Sequence, residues 1–243
     1  MEYIALAVAP GIAICLFIFY KDVYNREPKL NLIVSFILGC FAILPAMFFE
    51  KEFAYTSDGT VAGVAVFSYA IVAFSEEFSK FLGLRLYSYN QKSFDEPLDG
   101  IVYGVMVSMG FATLENLMYV LKYAEIGLGY EVGLKRMFLS VPAHASFGVV
   151  MGYFVGKAKF DSKNSFMLMI AGLLAAIFFH GTYDFFLFVY ETTIWGRQTG
   201  ETLLAGGAIV SFIVALVLSR RLIRSHRKIS QQMFKDKKDN PVV

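Results

Sequence analysis

The stretch "AFSEEFSKFLGL" sets Glu76, Glu77 and Lys80 inside an apolar run, and three further runs carry similar outliers. "FATLENLMY" holds Glu115 and Asn116, "VPAHASFG" holds His144, and "FFHGTYDFF" holds His180 and Asp184. Two neighbouring carboxylates in a low-dielectric setting cannot both ionise easily. One of them is therefore suited to exchange a proton while a water molecule is activated. Imidazoles opposite can share that transfer or donate to a developing oxyanion. The catalytic candidates are Glu76, Glu77, His144 and His180, with Lys80, Glu115, Asn116 and Asp184 in support. A metal offers a second route. Glu76, Glu115, His144 and His180 present the nitrogen and carboxylate donors that zinc accepts, and bound zinc makes water acidic near neutral pH. The chain has no H-E-x-x-H motif, so bare carboxylate chemistry and a metal both stay open. Both routes end in hydrolysis. Ser75 and Ser146 lie close by, but neither occupies a G-x-S-x-G setting, and Asp184 is the one aspartate deep in an apolar run.

The elements that must carry these residues are membrane spans. Of 243 residues, 57% are hydrophobic and 17% charged, and the mean hydropathy is +0.56. Soluble domains carry about a quarter charged residues. Seven runs approach the roughly 20 residues that cross a bilayer. They cover 3–20, 30–49, 62–87, 98–122, 137–156, 165–190 and 203–219. Lipid offers no partner to open backbone, so an all-α, polytopic transmembrane bundle of about seven spans is predicted. The first run lacks a basic leader and is followed by Lys21, which reads as a retained span. Cys15 and Cys40 fall inside runs and behave as small hydrophobes.

Basic residues are asymmetric. The connections at 21–29, 89–97 and 157–163, with the tail from Arg220, hold fifteen Lys and Arg, against five in the alternate connections. That bias places the N-terminus outside and the C-terminus in the cytoplasm. The chain divides into a transmembrane domain, 1–219, and a basic cytoplasmic tail, 220–243, attracted to anionic lipid. His226 falls in that tail and is given no role. Tyr190 and Trp195 read as interfacial anchors. No nucleic-acid partner is expected.

Ionisable groups at a helix centre cost roughly 2.5–3.5 kcal/mol on insertion scales, so each is a functional candidate. Counting from the outer ends of their runs, Glu115, His144 and His180 lie roughly 10–15 Å deep, in one layer. Glu76 misses that layer by about one or two turns, which a tilt or a break in the third span would correct. Glu76 and Lys80 are four residues apart, as are Glu115 and Tyr119, and His180 and Asp184, so each pair shares a helix face. Asp184 is placed to fix one ring nitrogen of His180 and leave the other free. His144, Gly148, Gly152 and Gly156 form a small-residue ladder, which puts His144 on a tight helix–helix seam. A lone buried histidine would more simply bond a backbone carbonyl, and the glutamates could merely pair with Lys80 or Arg85 to order helices. The shared layer favours chemistry.

In order along the chain, Glu76-Glu77-x-x-Lys80, Phe111-x-x-x-Glu115-Asn116, His144 and His180-x-x-x-Asp184 resemble the PrsW family of bacterial intramembrane proteases. That family is grouped with the type II CAAX prenyl endopeptidase superfamily (CPBP, or Abi). The resemblance spans residues 1–220. It implies a multi-pass protein of the bacterial cell membrane that makes the first, site-1 cut in a membrane-spanning anti-sigma factor during an envelope-stress response. It also implies that Glu76, Glu77 and His180 are essential. Here lysine comes one residue before the arginine of the prenyl enzymes, and Glu115 stands where they have histidine, which points away from prenyl processing. Two other classes compete: a non-catalytic scaffold like the Aph subunit of gamma-secretase, and a proton-coupled transporter.

Overall fold

The computed structural model describes residues 1–193 and 200–239, apart from the side chains of 201 and 237. The interfacial position expected for Trp195, and the charge of Arg197, lie outside the described residues. All the regular structure described is helical. In chain order the elements are α1 (Glu2–Lys21), α2 (Lys29–Glu52), α3 (Val61–Val66), a π-helical segment (Phe67–Ala73), α4 (Phe74–Leu86) and α5 (Pro97–Ala124). They are followed by α6 (Gly129–Phe138), α7 (Ser140–Phe160), α8 (Ser165–Thr192) and α9 (Glu201–Asp239). With α3 to α4 counted as one span and α6 to α7 as another, seven helices among the described residues are long and apolar enough to cross a membrane.

Helix α5 is the axis of the bundle, and every residue from Pro97 to Thr113 is buried. It starts where Pro97 takes the first position and Glu96 and Asp99 close a reciprocal capping box. Tyr103 donates to Glu27, and its hydroxyl lies 3.0 Å from Ser93 Oγ, so two connections are tied to this helix. The outer helices instead expose apolar side chains, Phe17, Phe48, Phe166 and Val210 among them, where a soluble protein would carry charge.

The glycine ladder of α7 packs against a matching pair on α5. A Cβ at Gly152 would lie 2.2 Å from the Gly100 carbonyl oxygen, and one at Gly104 would lie 2.6 Å from that of Gly148. The two backbones are in contact, and hydrogen in place of a side chain is what permits it. Overpacking of this kind costs about 1–3 kcal/mol. Gly152→Ala should therefore lower the thermal unfolding midpoint in detergent, and an unchanged midpoint would mean the seam is looser than drawn.

Three departures from the expected spans bear on the site. The break anticipated before Glu76 is the π-helical segment, which ends three residues ahead of it. The fifth span begins earlier than 137: α6 forms a separate short helix, and the chain turns at Leu139 before α7. The last helix does not stop near 219 but continues unbroken to Asp239. His226 on this extension is buried against the ring of Tyr153, with centroids 4.1 Å apart, so it is a packing residue and not a solvated one.

Candidate active site

The π-helical segment sets the phase of α4. Tyr69 within it bonds Thr182 on α8 at 2.8 Å and packs where a Cβ on Gly181 would sit 2.4 Å from its ring. This contact fixes the third span beside His180. From two turns on, Glu76, Glu77 and Lys80 all point inward, at 5%, 0% and 1% exposure. A buried lysine is tolerated only with its charge matched. Lys80 Nζ donates to Glu76 Oε2 at 3.0 Å and to Glu77 Oε1 at 2.8 Å, and lies 4.0 Å from the Phe111 ring centre.

The same ammonium lies 3.1 Å from His144 Nδ1. An ammonium only donates, so Nδ1 accepts and the ring proton sits on Nε2. Nε2 then donates to Glu115 Oε2, 3.1 Å away. His144 therefore meets a cation and a carboxylate, not a backbone carbonyl. His180 closes the group from α8: Nδ1 is 2.9 Å from Glu77 Oε1, and Nε2 is 3.1 Å from Asp184 Oδ2 and 3.9 Å from Glu76 Oε2. The pairing with Asp184 is as expected, but the second nitrogen is not left free, because Glu77 occupies it. The two imidazoles cross at 85° with centroids 5.0 Å apart, and Phe147 stacks on His180.

Glu115 differs from its expected place among the metal donors. Arg136 Nη2 of α6 reaches its Oε2 at 2.5 Å, which commits it to an ion pair. The four residues whose donor atoms all lie within 4.8 Å of one another are Glu76, Glu77, His144 and His180. Asn116 stands one layer out, donating to Ala7 O at 2.8 Å and accepting from Arg136 Nε at 3.0 Å. Its role is to hold Arg136 on Glu115. Ser75 donates to Val72 O at 3.1 Å and lies 3.4 Å from Glu50 Oε1, and Ser146 donates to Pro142 O at 3.0 Å, so neither bonds an imidazole of the cluster.

Two residues enter that sequence reasoning missed. Arg136 was counted only as a connection charge, and Glu50 closes the rim from the end of α2, 3.4 Å from Ser75 Oγ. Both sit where apolar runs give way to ordinary charged segments, so no signal singled them out.

The PrsW family model, described as an intramembrane metalloprotease family, matches residues 27–219. The chain belongs to the PrsW family. Protease PrsW of Geobacillus kaustophilus is 39% identical over 202 residues, covering 83% of this chain and 86% of that protein. Protease PrsW of Bacillus subtilis is 37% identical over 193 residues, covering 79% and 85%, and that of Clostridioides difficile is 33% identical over 193 residues, covering 78% and 80%. No solved structure matches.

The site suits the metal that this PrsW-family description implies. Two imidazoles and two carboxylates make a donor set of the zinc type. Glu77 Oε2 is buried and meets no hydrogen-bond donor among the described residues, an oxygen available to a cation or a water. The Lys80 ammonium already bridges three of the four donors, so it and a metal would compete for the same negative charge.

Proposed function

We propose that this PrsW-family chain hydrolyses a peptide bond of a single-pass membrane protein inside the bilayer. The observation that carries this reading is the meeting of Glu76, Glu77, His144 and His180 in one buried group, drawn from α4, α7 and α8. Glu76 is the less committed carboxylate, with Lys80 at 3.0 Å and His180 Nε2 only at 3.9 Å. It takes the proton of the attacking water. Glu77, pinned by Lys80 and His180, stays an acceptor and orients the ring. His180, between Glu76 and Asp184, returns a proton to the departing amine. Lys80 supplies positive charge beside the oxygen that gains charge, and His144, bridging Lys80 and Glu115, holds that ammonium in place. A divalent metal, when bound, would polarise the scissile carbonyl and acidify water. Glu76, Glu77, His144 and His180 would hold it, and zinc is the ion that best suits them.

The substrate reading is an anti-sigma factor cut first on the extracytoplasmic side, in a bacterial envelope-stress response. Its support is the motif resemblance, the outer-half depth counted for the cluster, and the basic asymmetry that puts the N-terminus outside. Wider kinship with the prenyl endopeptidases rests on the motif order alone.

Purified protein in liposomes, given a single-pass anti-sigma factor, should release one fragment whose new end lies within the outer leaflet. No fragment from any such substrate would remove the reading. Metal analysis should find about one zinc per chain, and 1,10-phenanthroline should stop cleavage until zinc is restored. Full activity at zero metal content would leave the bare carboxylate route.

A further inference from the structure

A groove of about 390 Å³ lies between α1, α5, α7 and α9. Ile14, Ile18, Val149 and Leu216 give it apolar walls. Lys21, Arg220, Arg224 and Arg227 line its other part. Leu216, Arg220, Ile223 and Arg227 recur at three- and four-residue steps, so one stripe of α9 alternates apolar and basic side chains. From Leu216 to Arg227 the helix rises about 16 Å, with Arg220, Arg224 and Arg227 along the groove side of it.

The cations are not spent on the protein. Among the described residues none of the four forms an ion pair with a carboxylate, and Lys21 Nζ rests 5.2 Å from the Phe17 ring centre. Arg227 Nε is buried and meets no acceptor among the described residues. A buried donor left unmade costs about 1–3 kcal/mol, and a guanidinium matches a phosphate through paired N–H groups. Apolar walls from α1 and α7 beside a run of unpaired cations on α9 select a molecule with a hydrocarbon chain and an anionic phosphate.

We propose that this groove is a binding site for one anionic phospholipid, its phosphate among Lys21, Arg224 and Arg227 and an acyl chain along α1 and α7. This is a defined seat, beyond general attraction of a basic tail to a membrane surface, and it stands whether or not the chain is a protease. The chain-bearing wall includes Pro142, Ala145 and Ser146, which flank His144 in sequence, so the lipid packs on the helix that delivers that imidazole. Ser219 Oγ donates to Ser146 O at 3.1 Å and joins α9 to the same wall.

The test is native mass spectrometry of the full chain, delipidated in detergent and titrated with phosphatidylglycerol, phosphatidylcholine or inorganic phosphate. One phosphatidylglycerol should be retained, with little phosphatidylcholine and no free phosphate. At about 1 kcal/mol for each basic residue near lipid, Arg224→Gln with Arg227→Gln should weaken retention about 30-fold. Lys228→Gln with Lys235→Gln removes equal charge outside the groove and should leave retention unchanged. Equal loss from both pairs, equal retention of phosphatidylcholine, or retention of free phosphate alone would overturn the proposal. Should the arginine pair fail to fold, a photoreactive phosphatidylglycerol on the unaltered chain decides the matter. Crosslinks on α1, α5, α7 and α9 support the seat, and crosslinks elsewhere remove it.

Discussion

His180→Ala is expected to lower cleavage by about a thousandfold while the protein still inserts and folds. The ring lies near three carboxylates, with Glu77 at 2.9 Å, Asp184 at 3.1 Å and Glu76 at 3.9 Å. Without it no proton donor faces the leaving amine, and Asp184 loses its partner. Glu76→Gln should have a comparable effect by a different cause, since its amide keeps the shape and loses the basic oxygen. The measurement is the initial rate of fragment release in liposomes, with the rate at saturation separated from the half-saturating substrate concentration. Loss confined to the saturated rate fits a role in the chemical step. Turnover within a fewfold of the parent in either variant would end the assignment of these residues.

Lys80→Met should give the largest loss of stability. The ammonium is 1% exposed and is the shared partner of Glu76, Glu77 and His144. Removing one member of a buried ion pair costs about 3–5 kcal/mol, because the remaining charge stays desolvated and unmatched. Here two carboxylates would be stranded at once. In a background already carrying Glu76→Gln and Glu77→Gln, the same substitution should cost far less, since no charge remains to be matched. Thermal unfolding of the four proteins in one detergent closes this cycle. A single Lys80→Met protein as stable as its parent would show that the carboxylates find their counter-charge elsewhere.

Much of this site was legible because a bilayer makes charge conspicuous. Glu76, Glu77, Glu115, His144, His180 and Asp184 stand out against apolar neighbours, and counting from span ends put three of them in one layer. The glycine ladder of α7 announced a seam, and α5 supplies its other half through Gly100 and Gly104. Other features carried no such contrast. Arg136 and Glu50 lie at span ends, where charge is ordinary, so their approach to the cluster depends on tertiary packing. The exchange of Glu77 for Glu115 among the close donors follows from Arg136 and was hidden for the same reason. The turn at Leu139 lies inside a continuous apolar run and leaves no mark in hydropathy. His226 falls in a basic segment with no role marked for it, and the packing of α9 on Tyr153 is what buries it.

The seven-residue π-helical segment has a consequence for how this span tolerates change in length. Widened turns absorb an additional residue, and each residue of an α-helix advances the face by about 100°. Deleting one residue between Phe67 and Ala73 would leave composition and apolar content almost untouched. There the loss returns the wide turns to ordinary α-helix and keeps the phase, whereas deleting Phe74 or Ser75, past the segment, would rotate both adjacent acids toward hydrocarbon, at roughly 2.5–3.5 kcal/mol each on insertion scales. Angular phase, rather than greasiness, is the property that a single-codon loss past the segment would destroy.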